Sequence, residues 1–252
     1  MAAMTNDLAQ LGRPVVFFFN ETDSTNTAAK RLILEGKISE DAVITCARQT
    51  NGRGRRGRSW LDDGGNSLCV TLVKKLGIAE NLGRLPLAVA LGVYDALSSF
   101  STNLGIKWPN DILCGDKKLS GILVELFDSY ALIGVGVNVL NADFPDEIKS
   151  IATSLRILGA NAPSKDDVLI KLVECVFSSV KAISSDEAFS AALVRYKAVS
   201  LTIHKHVCVF GAAGTATGFV KDFDDVGRII LVDDNGYESI IDVGDVSLRE
   251  VK

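Results

Sequence analysis

Five of the twelve arginines, Arg48, Arg53, Arg55, Arg56 and Arg58, fall within eleven residues, and no acidic residue interrupts them before Asp62. Glycines alternate with them in Gly52-Arg-Gly-Arg-Arg-Gly57, so permanent cations sit on a backbone able to approach a ligand closely. Lys107 with Asn110 and Asp111, and Lys117 with Lys118 ahead of Leu-Ser-Gly-Ile, add further cationic and polar positions. Such groups stabilise negative charge on a transferring phosphoryl group and let a carboxylate approach a nucleotide despite like-charge repulsion. The implied chemistry is carboxylate activation.

Other chemistries fit less well. The arginine segment satisfies the GxGxxG pattern of dinucleotide folds, but Ser59-Trp-Leu-Asp-Asp-Gly-Gly65 continues it without the helical periodicity that a pyrophosphate-binding helix requires. No GxxxxGK[ST] segment occurs. The two histidines, His204 and His206, both lie in the C-terminal part and have no evident third metal ligand. That excludes a His-dependent triad elsewhere and favours packed or solvent-exposed imidazoles. The five cysteines are far apart with no CxxC pair, a pattern of small buried residues in a reducing compartment.

The elements that must position these residues are readable in outline. Ser24 is expected to cap a helix from about Thr25 to Glu35 ended by Gly36, with Ala28, Ala29, Leu32 and Ile33 on its apolar face. Val43–Ala47 and Ser67–Val73 read as strands flanking the arginine loop. Arg84–Phe100 reads as a buried helix, Gly105–Trp108 as a strand stopped by Pro109, and Lys107–Asp111 as a turn. Leu119–Phe127 and Ala131–Leu140 read as a hairpin. Ser164 with Asp167 is expected to cap a helix whose apolar stripe runs to Val180, followed by a helix from Glu187 to about Lys197. Short strands at Val207–Phe210, Thr215–Val220, Arg228–Val232 and Ser239–Val243, separated by glycine and aspartate turns, close the chain.

The expected fold class is α+β: a mixed-sheet domain over residues 1–195 and a small β-barrel-like domain over 196–252. The 252 residues, 47% hydrophobic and 23% charged, suit a globular protein with a substantial core. The longest apolar runs, Val15–Phe19 and Leu85–Tyr94, fall short of the roughly 18–20 residues of a membrane span. The N-terminal segment lacks the pattern of a secretory signal, so a cytoplasmic protein without membrane partners is expected. Net charge is −4, and the segment from Tyr196 onward, with six basic and nine acidic residues, carries most of it. A general polyanion binder is therefore not expected.

Five segments taken together resemble the biotin protein ligase family. They are Asp23-Ser-Thr-Asn26; Gln49 with the arginine loop and Trp60; Lys107-Trp-Pro-Asn-Asp111; Lys118-Leu-Ser-Gly-Ile-Leu-Val-Glu125; and Gly134-Val-Gly-Val-Asn138. They occur in family order, and the β-rich tail is similar to that family's small SH3-like C-terminal domain.

The resemblance implies an enzyme that makes biotinyl-5′-AMP from biotin and ATP with Mg²⁺, releases pyrophosphate, and passes biotin to a lysine amine of a biotin carboxyl carrier domain. By the same resemblance Ser24, Thr25, Asn26, Gln49, Gly52, Gly54 and Gly121 belong to the biotin site, and Arg53 and Arg55 hold the biotin carboxylate and phosphates. Lys118 stands beside the biotin carboxyl and the adenylate, with Lys117 as its near neighbour. Arg58, Trp60, Lys107, Asn110, Asp111 and Asn138 form the nucleotide environment. Lys118, Arg53 and Arg55 are the implied catalytic residues, Arg56 faces solvent, and no protein metal site is implied. The arginine loop is expected to close over the adenylate. A core tryptophan at position 60 and a turn-forming role for Pro109–Asp111 are the competing structural reasons for those residue types.

About twenty residues precede the first motif, which leads to the expectation of ligase activity without operator binding and no nucleic-acid partner. A homodimer formed through a sheet edge is compatible with the resemblance. Two rival readings remain: a lipoate ligase of the same fold, and a nucleic-acid-binding module that uses the Arg-Gly loop on phosphates.

Overall fold

Strand alternation decides the layers. On three neighbouring strands Val43, Leu72 and Ile133 point into one apolar cluster while Ile44, Val73 and Leu132 point into another, so both faces of one sheet are buried. The structure is a computed structural model and describes residues 14–62, 64–77, 81–159, 163–211, 214–242 and 247–250.

The chain runs β1 (Val15–Thr22), α1 (Thr25–Leu34), β2 (Ala42–Gln49), a short ribbon of β3 (Gly52–Arg53) and β4 (Ser59–Trp60), β5 (Ser67–Lys75), α2 (Leu85–Ser98), β6 (Leu104–Lys107), β7 (Asp111–Cys114), β8 (Lys117–Phe127) and β9 (Tyr130–Asn138). Helices α3 (Asp146–Lys149), α4 (Lys165–Val180) and α5 (Asp186–Ala198) follow. Strands β10 (His206–Gly211), β11 (Gly214–Phe223), β12 (Ile229–Val232), β13 (Glu238–Ile241) and β14 (Ser247–Glu250) form the last part.

The main sheet has seven strands in the order β1-β2-β5-β9-β8-β7-β6. Only β1 and β2 pair in parallel, through the α1 crossover; every other neighbouring pair is antiparallel. Helix α1 covers one face with Ala28, Ala29 and Leu32, and α2, α4 and α5 cover the other. The arginine segment lies between β2 and β5 as expected, and the hairpin of β8 and β9 turns on Asp128 and Ser129. Ser164 and Asp167 form the expected reciprocal cap of α4. Strand β1 was not anticipated, because Val-Val-Phe-Phe-Phe shows no alternation; it is an edge strand whose Val16 and Phe17 pack into opposite clusters.

Helices α2 and α4 meet at Gly92, where an added Cβ would stand 2.8 Å from Val176 Cα and 3.0 Å from Cys175 O. Backbone cannot give way as a side chain can. Gly92→Ala is expected to destabilise the protein by about 1–3 kcal/mol despite alanine's better helix propensity. A melting temperature equal to the wild type's would show that the two helices have room to separate.

The C-terminal strands form a five-stranded antiparallel sheet in the order β13-β12-β11-β10-β14, with a bulge between Val220 and Asp222. Its inward residues Val207, Val209, Val220, Phe223, Ile229 and Leu231 join the same apolar cluster as α2, α4 and α5. Trp108 fastens the two sheets together: its backbone N–H donates to Thr202 Oγ1 at 2.9 Å and its indole N–H to Gly227 O at 3.3 Å. The expected division at residues 195 and 196 falls in the last turn of α5, whose Tyr196 packs edge-on against Phe223. His204 stacks on Phe219, and His206 faces Asp234 at 3.4 Å.

Candidate active site

Three glycines make the floor of a cleft on the α1 face of the main sheet. Gly136 pairs with Gly121 on β8 and with Cys69 on β5, and Gly134 pairs with Thr71. Side chains at these positions are absent, so the flat backbone is open to a ring laid against it. In this structure the Trp60 indole lies there. A Cβ added at Gly136 would overlap its ring, and one at Gly121 would come within 3.1 Å of Trp60 Cζ3. At the far end of the floor a Cβ at Gly134 would meet Asn26 Oδ1 at 2.6 Å.

The closed end of the cleft is neutral and polar. Ser24 occupies the N-cap position of α1, but its side chain makes no capping bond. Ser24 lines the cleft together with Thr25, Asn26 and Gln49. Thr25 N–H donates to Gln49 Oε1 at 2.9 Å, and Gln49 Nε2 lies 3.6 Å from Cys69 Sγ. The buried Thr71 hydroxyl stands 2.8 Å from Thr25 Oγ1 and 2.6 Å from Asn26 Oδ1.

Behind Asn26, Glu125 accepts from Asn26 Nδ2 at 2.7 Å and from Lys30 Nζ at 2.8 Å. Burial alone pushes the Glu125 carboxyl upward. Hydrogen bonds from Lys30 and Asn26 and the positive charges of Lys30 and Arg53 outweigh it and hold the group below the usual glutamate value. Glu125 is therefore ionised at neutral pH. Burial, with a further contribution from Asp62, raises the Cys46 thiol to about 12 and Cys69 well above its usual value. Neither is a nucleophile at neutral pH.

The open end is cationic. Lys118 reaches it because β8 carries a bulge: Ile112 pairs with Ser120, but Leu113 pairs with Lys118, so Leu119 is an extra residue. The bulge sends Leu119 into the core and turns Lys118 to the face of Gly121, from which regular alternation would have excluded it. Lys118 Nζ lies 2.7 Å from Asp111 Oδ1, an otherwise unbonded buried oxygen, and 5.7 Å from the centre of the Trp60 ring. Lys117 is exposed and lies outside the cleft lining.

The arginine cluster separates by function. Arg48 pairs with Glu21 at 3.1 Å, away from the cleft. Arg53 donates to Thr27 Oγ1 at 2.8 Å, and Arg55 to Asn110 Oδ1 at 3.3 Å. Asn110 in turn is fixed by its Nδ2 bond to Ile122 O at 2.8 Å. Arg56 is exposed and donates to Phe210 O of the C-terminal sheet at 2.9 Å, tying the loop to that sheet. Arg56 and Arg58 line the cleft with Arg53, Gly54 and Arg55.

Of the residues singled out in the sequence, Ser24, Thr25, Asn26, Gln49, Arg53, Gly54, Arg55, Arg58, Trp60, Lys107, Asn110, Asp111, Lys118 and Gly121 line this one cleft. Two do not. Gly52 sits within the β3–β4 ribbon, where a Cβ would stand 2.6 Å from Gln49 Nε2, so it shapes the loop rather than the cleft surface. Asn138 lies at the end of the glycine row and spends its amide on Thr153 O at 2.9 Å. Sequence reasoning passed over Thr71 and gave Glu125 no role. The alternation of Ser67, Cys69 and Thr71 with Leu68, Val70 and Leu72 was the available signal for a polar face on β5.

A model of the biotin/lipoate A/B protein ligase family matches residues 18–138. The biotin–[acetyl-CoA-carboxylase] ligase of Mycobacterium tuberculosis is 33% identical over 90% of this chain and 86% of its own. The chain is a member of the biotin protein ligase family. A biotin protein ligase from Aquifex aeolicus, solved in complex with biotin and ATP, superposes with a TM-score of 0.83 at 30% identity, covering 94% of this chain and 99% of that one. The Paracoccus denitrificans biotin–[acetyl-CoA-carboxylase] ligase is 29% identical over 83% of this chain and 91% of its own. As a ligase of this family the protein brings its matched segments from α1, the arginine loop, β8 and β9 to one cleft. Among the described residues no helix is long and apolar enough to cross a membrane.

Proposed function

We propose that this ligase activates biotin with ATP to biotinyl-5′-AMP, releasing pyrophosphate, and then transfers biotin to the lysine amine of a biotin carboxyl carrier domain. One observation carries the reading. The cleft joins neutral hydrogen-bonding groups at its closed end to Arg53, Arg55 and Lys118 at its open end, across a glycine floor. That sequence of surfaces suits a small molecule with a neutral cyclic urea at one end, an apolar ring system, and a carboxylate at the other.

In this reading Ser24, Thr25 and Gln49 hold the urea. Arg53 and Arg55 bring the carboxylate and the α-phosphate together against their mutual repulsion, and Lys118 stabilises charge on the phosphoryl group as oxygen attacks phosphorus. Trp60 and the arginine loop exclude water from the mixed anhydride. Asp111 sits where the incoming lysine amine approaches and orients it. Among the described residues Asp111 is also the one acidic residue lining the cleft, and it is engaged by Lys118. A single carboxylate suits Mg²⁺ carried mainly by phosphate oxygens, with Asp111 as the protein's donor. The reaction belongs in the cytoplasm.

The closed end favours this reading over a lipoate ligase, whose substrate has an apolar head and would leave the remaining hydrogen-bonding capacity of Thr25 and Gln49 unmet. The purified protein is expected to release pyrophosphate from ATP with biotin, and not with lipoate or alone, and then to label an added carrier domain. Release with lipoate instead, or no release at all, overturns the proposal.

A further inference from the structure

Glu125 lies behind the cleft wall, yet its charge dictates the direction of every hydrogen bond between it and the head-group end. An ionised carboxylate only accepts, so the 2.7 Å contact between Glu125 Oε2 and Asn26 fixes Nδ2 of that amide toward Glu125 and Oδ1 toward Thr71. The amide oxygen only accepts as well, so the 2.6 Å contact with Thr71 Oγ1 consumes the single Thr71 proton. Thr71 must then accept across the 2.8 Å contact with Thr25 Oγ1, and Thr25 donates. With its own proton spent, Thr25 Oγ1 can meet a ligand only as an acceptor.

Gln49 is oriented from the other side. Its Oε1 accepts from Thr25 N–H at 2.9 Å, which turns Nε2 toward Cys69 and makes it a donor. The closed end therefore offers an acceptor and a donor in fixed places, the complement of the N–H and C=O of a cyclic urea. Lys30, at 2.8 Å from Glu125 Oε1, anchors the carboxylate at the start of the relay.

We infer that Glu125 is a positioning residue that, through Asn26 and Thr71, sets the hydrogen-bond polarity of the head-group site and so its selectivity for a urea. This rests on the biotin reading above. Two waters or two rotating hydroxyls would serve either polarity; a buried chain ended by a fixed charge serves one.

The test uses biotin-dependent pyrophosphate release by the whole chain. Glu125→Gln reverses the constraint, because Lys30 holds the amide oxygen and leaves the amide N–H facing Asn26. It is expected to raise the biotin KM roughly 10- to 100-fold, the scale of a misdirected bond in a charge-anchored buried network, with the ATP KM unchanged. Asn26→Asp sets two carboxylates against each other and is expected to lose more. The double variant Asn26→Asp with Glu125→Gln restores the polarity: the carboxylate at position 26 accepts from the amide at position 125 and from Thr71. Its biotin KM is expected to return to within a few-fold of wild type. A general loss of structure would raise the ATP KM as well and would not be rescued by a second change.

A wild-type biotin KM in Glu125→Gln, or a double variant no better than Asn26→Asp, overturns the inference and leaves the biotin reading intact. Absence of biotin-dependent release by the wild-type protein overturns both. If Glu125→Gln does not fold, the double variant decides alone: a melting temperature like the wild type's with a tenfold or greater rise in biotin KM overturns the relay.

Discussion

Replacing Lys118 by alanine is expected to slow biotin- and ATP-dependent pyrophosphate release by roughly 10²–10³-fold, the scale of losing one preorganised charge-stabilising donor. The loss should fall on kcat. In the proposed reading the head-group contacts are made by Ser24, Thr25 and Gln49, which line the cleft, so the biotin KM should change little. Two controls isolate the ammonium. Lys118→Ala also strips Asp111 Oδ1 of its 2.7 Å counter-charge, and Asp111→Asn measures that part alone. Lys118→Arg keeps the charge on a longer, planar group and should recover part of the rate. An unchanged kcat in Lys118→Ala removes this residue from the mechanism.

A valine at Gly136 is expected to weaken biotin binding by up to roughly 10²-fold, the range of an overpacking cost of about 1–3 kcal/mol. Strand β9 is bonded on both sides, to β5 and β8, so its backbone cannot retreat from the new side chain. The added Cβ overlaps the Trp60 ring, and the two methyl groups fill the space above the floor. Stability also falls, because the Trp60 ring must move aside, although valine's preference for a strand offsets part of the cost. Isothermal titration with biotin and a thermal melt separate the two effects. Wild-type affinity in Gly136→Val would mean that no part of the bound biotin lies on this stretch of the sheet.

Much of the architecture was legible because local and tertiary requirements coincide. Ser164 and Asp167 satisfy each other within one turn, so the start of α4 can be read without its surroundings. The apolar stripe of the same helix and the Asp128-Ser129 turn are equally local. The cleft was legible as a set of residues, but not as a geometry. Lys118 and Gly121 share a face only because Leu119 is an extra residue in β8, and nothing in Lys-Lys-Leu-Ser-Gly announces a bulge. Thr71 resembles any strand threonine until register places it opposite Gly134. Glu125 and Asn26 are 99 positions apart, and their contact depends on how α1 lies across the sheet. Asn138 shows the opposite failing: its type suits a ligand, but its position makes it a strut for Thr153.

The bulge at Leu119 also sets a reading frame for this strand. Deleting that one residue would make the ladder regular, with Leu113 still opposite Lys118 and Cys114 opposite Lys117, so the lysine ammonium would stay on the cleft face and only the core would lose a leucine. A one-residue change in a regular part of β8, by contrast, would invert the faces on one side of it. Residue-by-residue transfer of mutational data between relatives holds across β8 only where both chains carry the same extra residue.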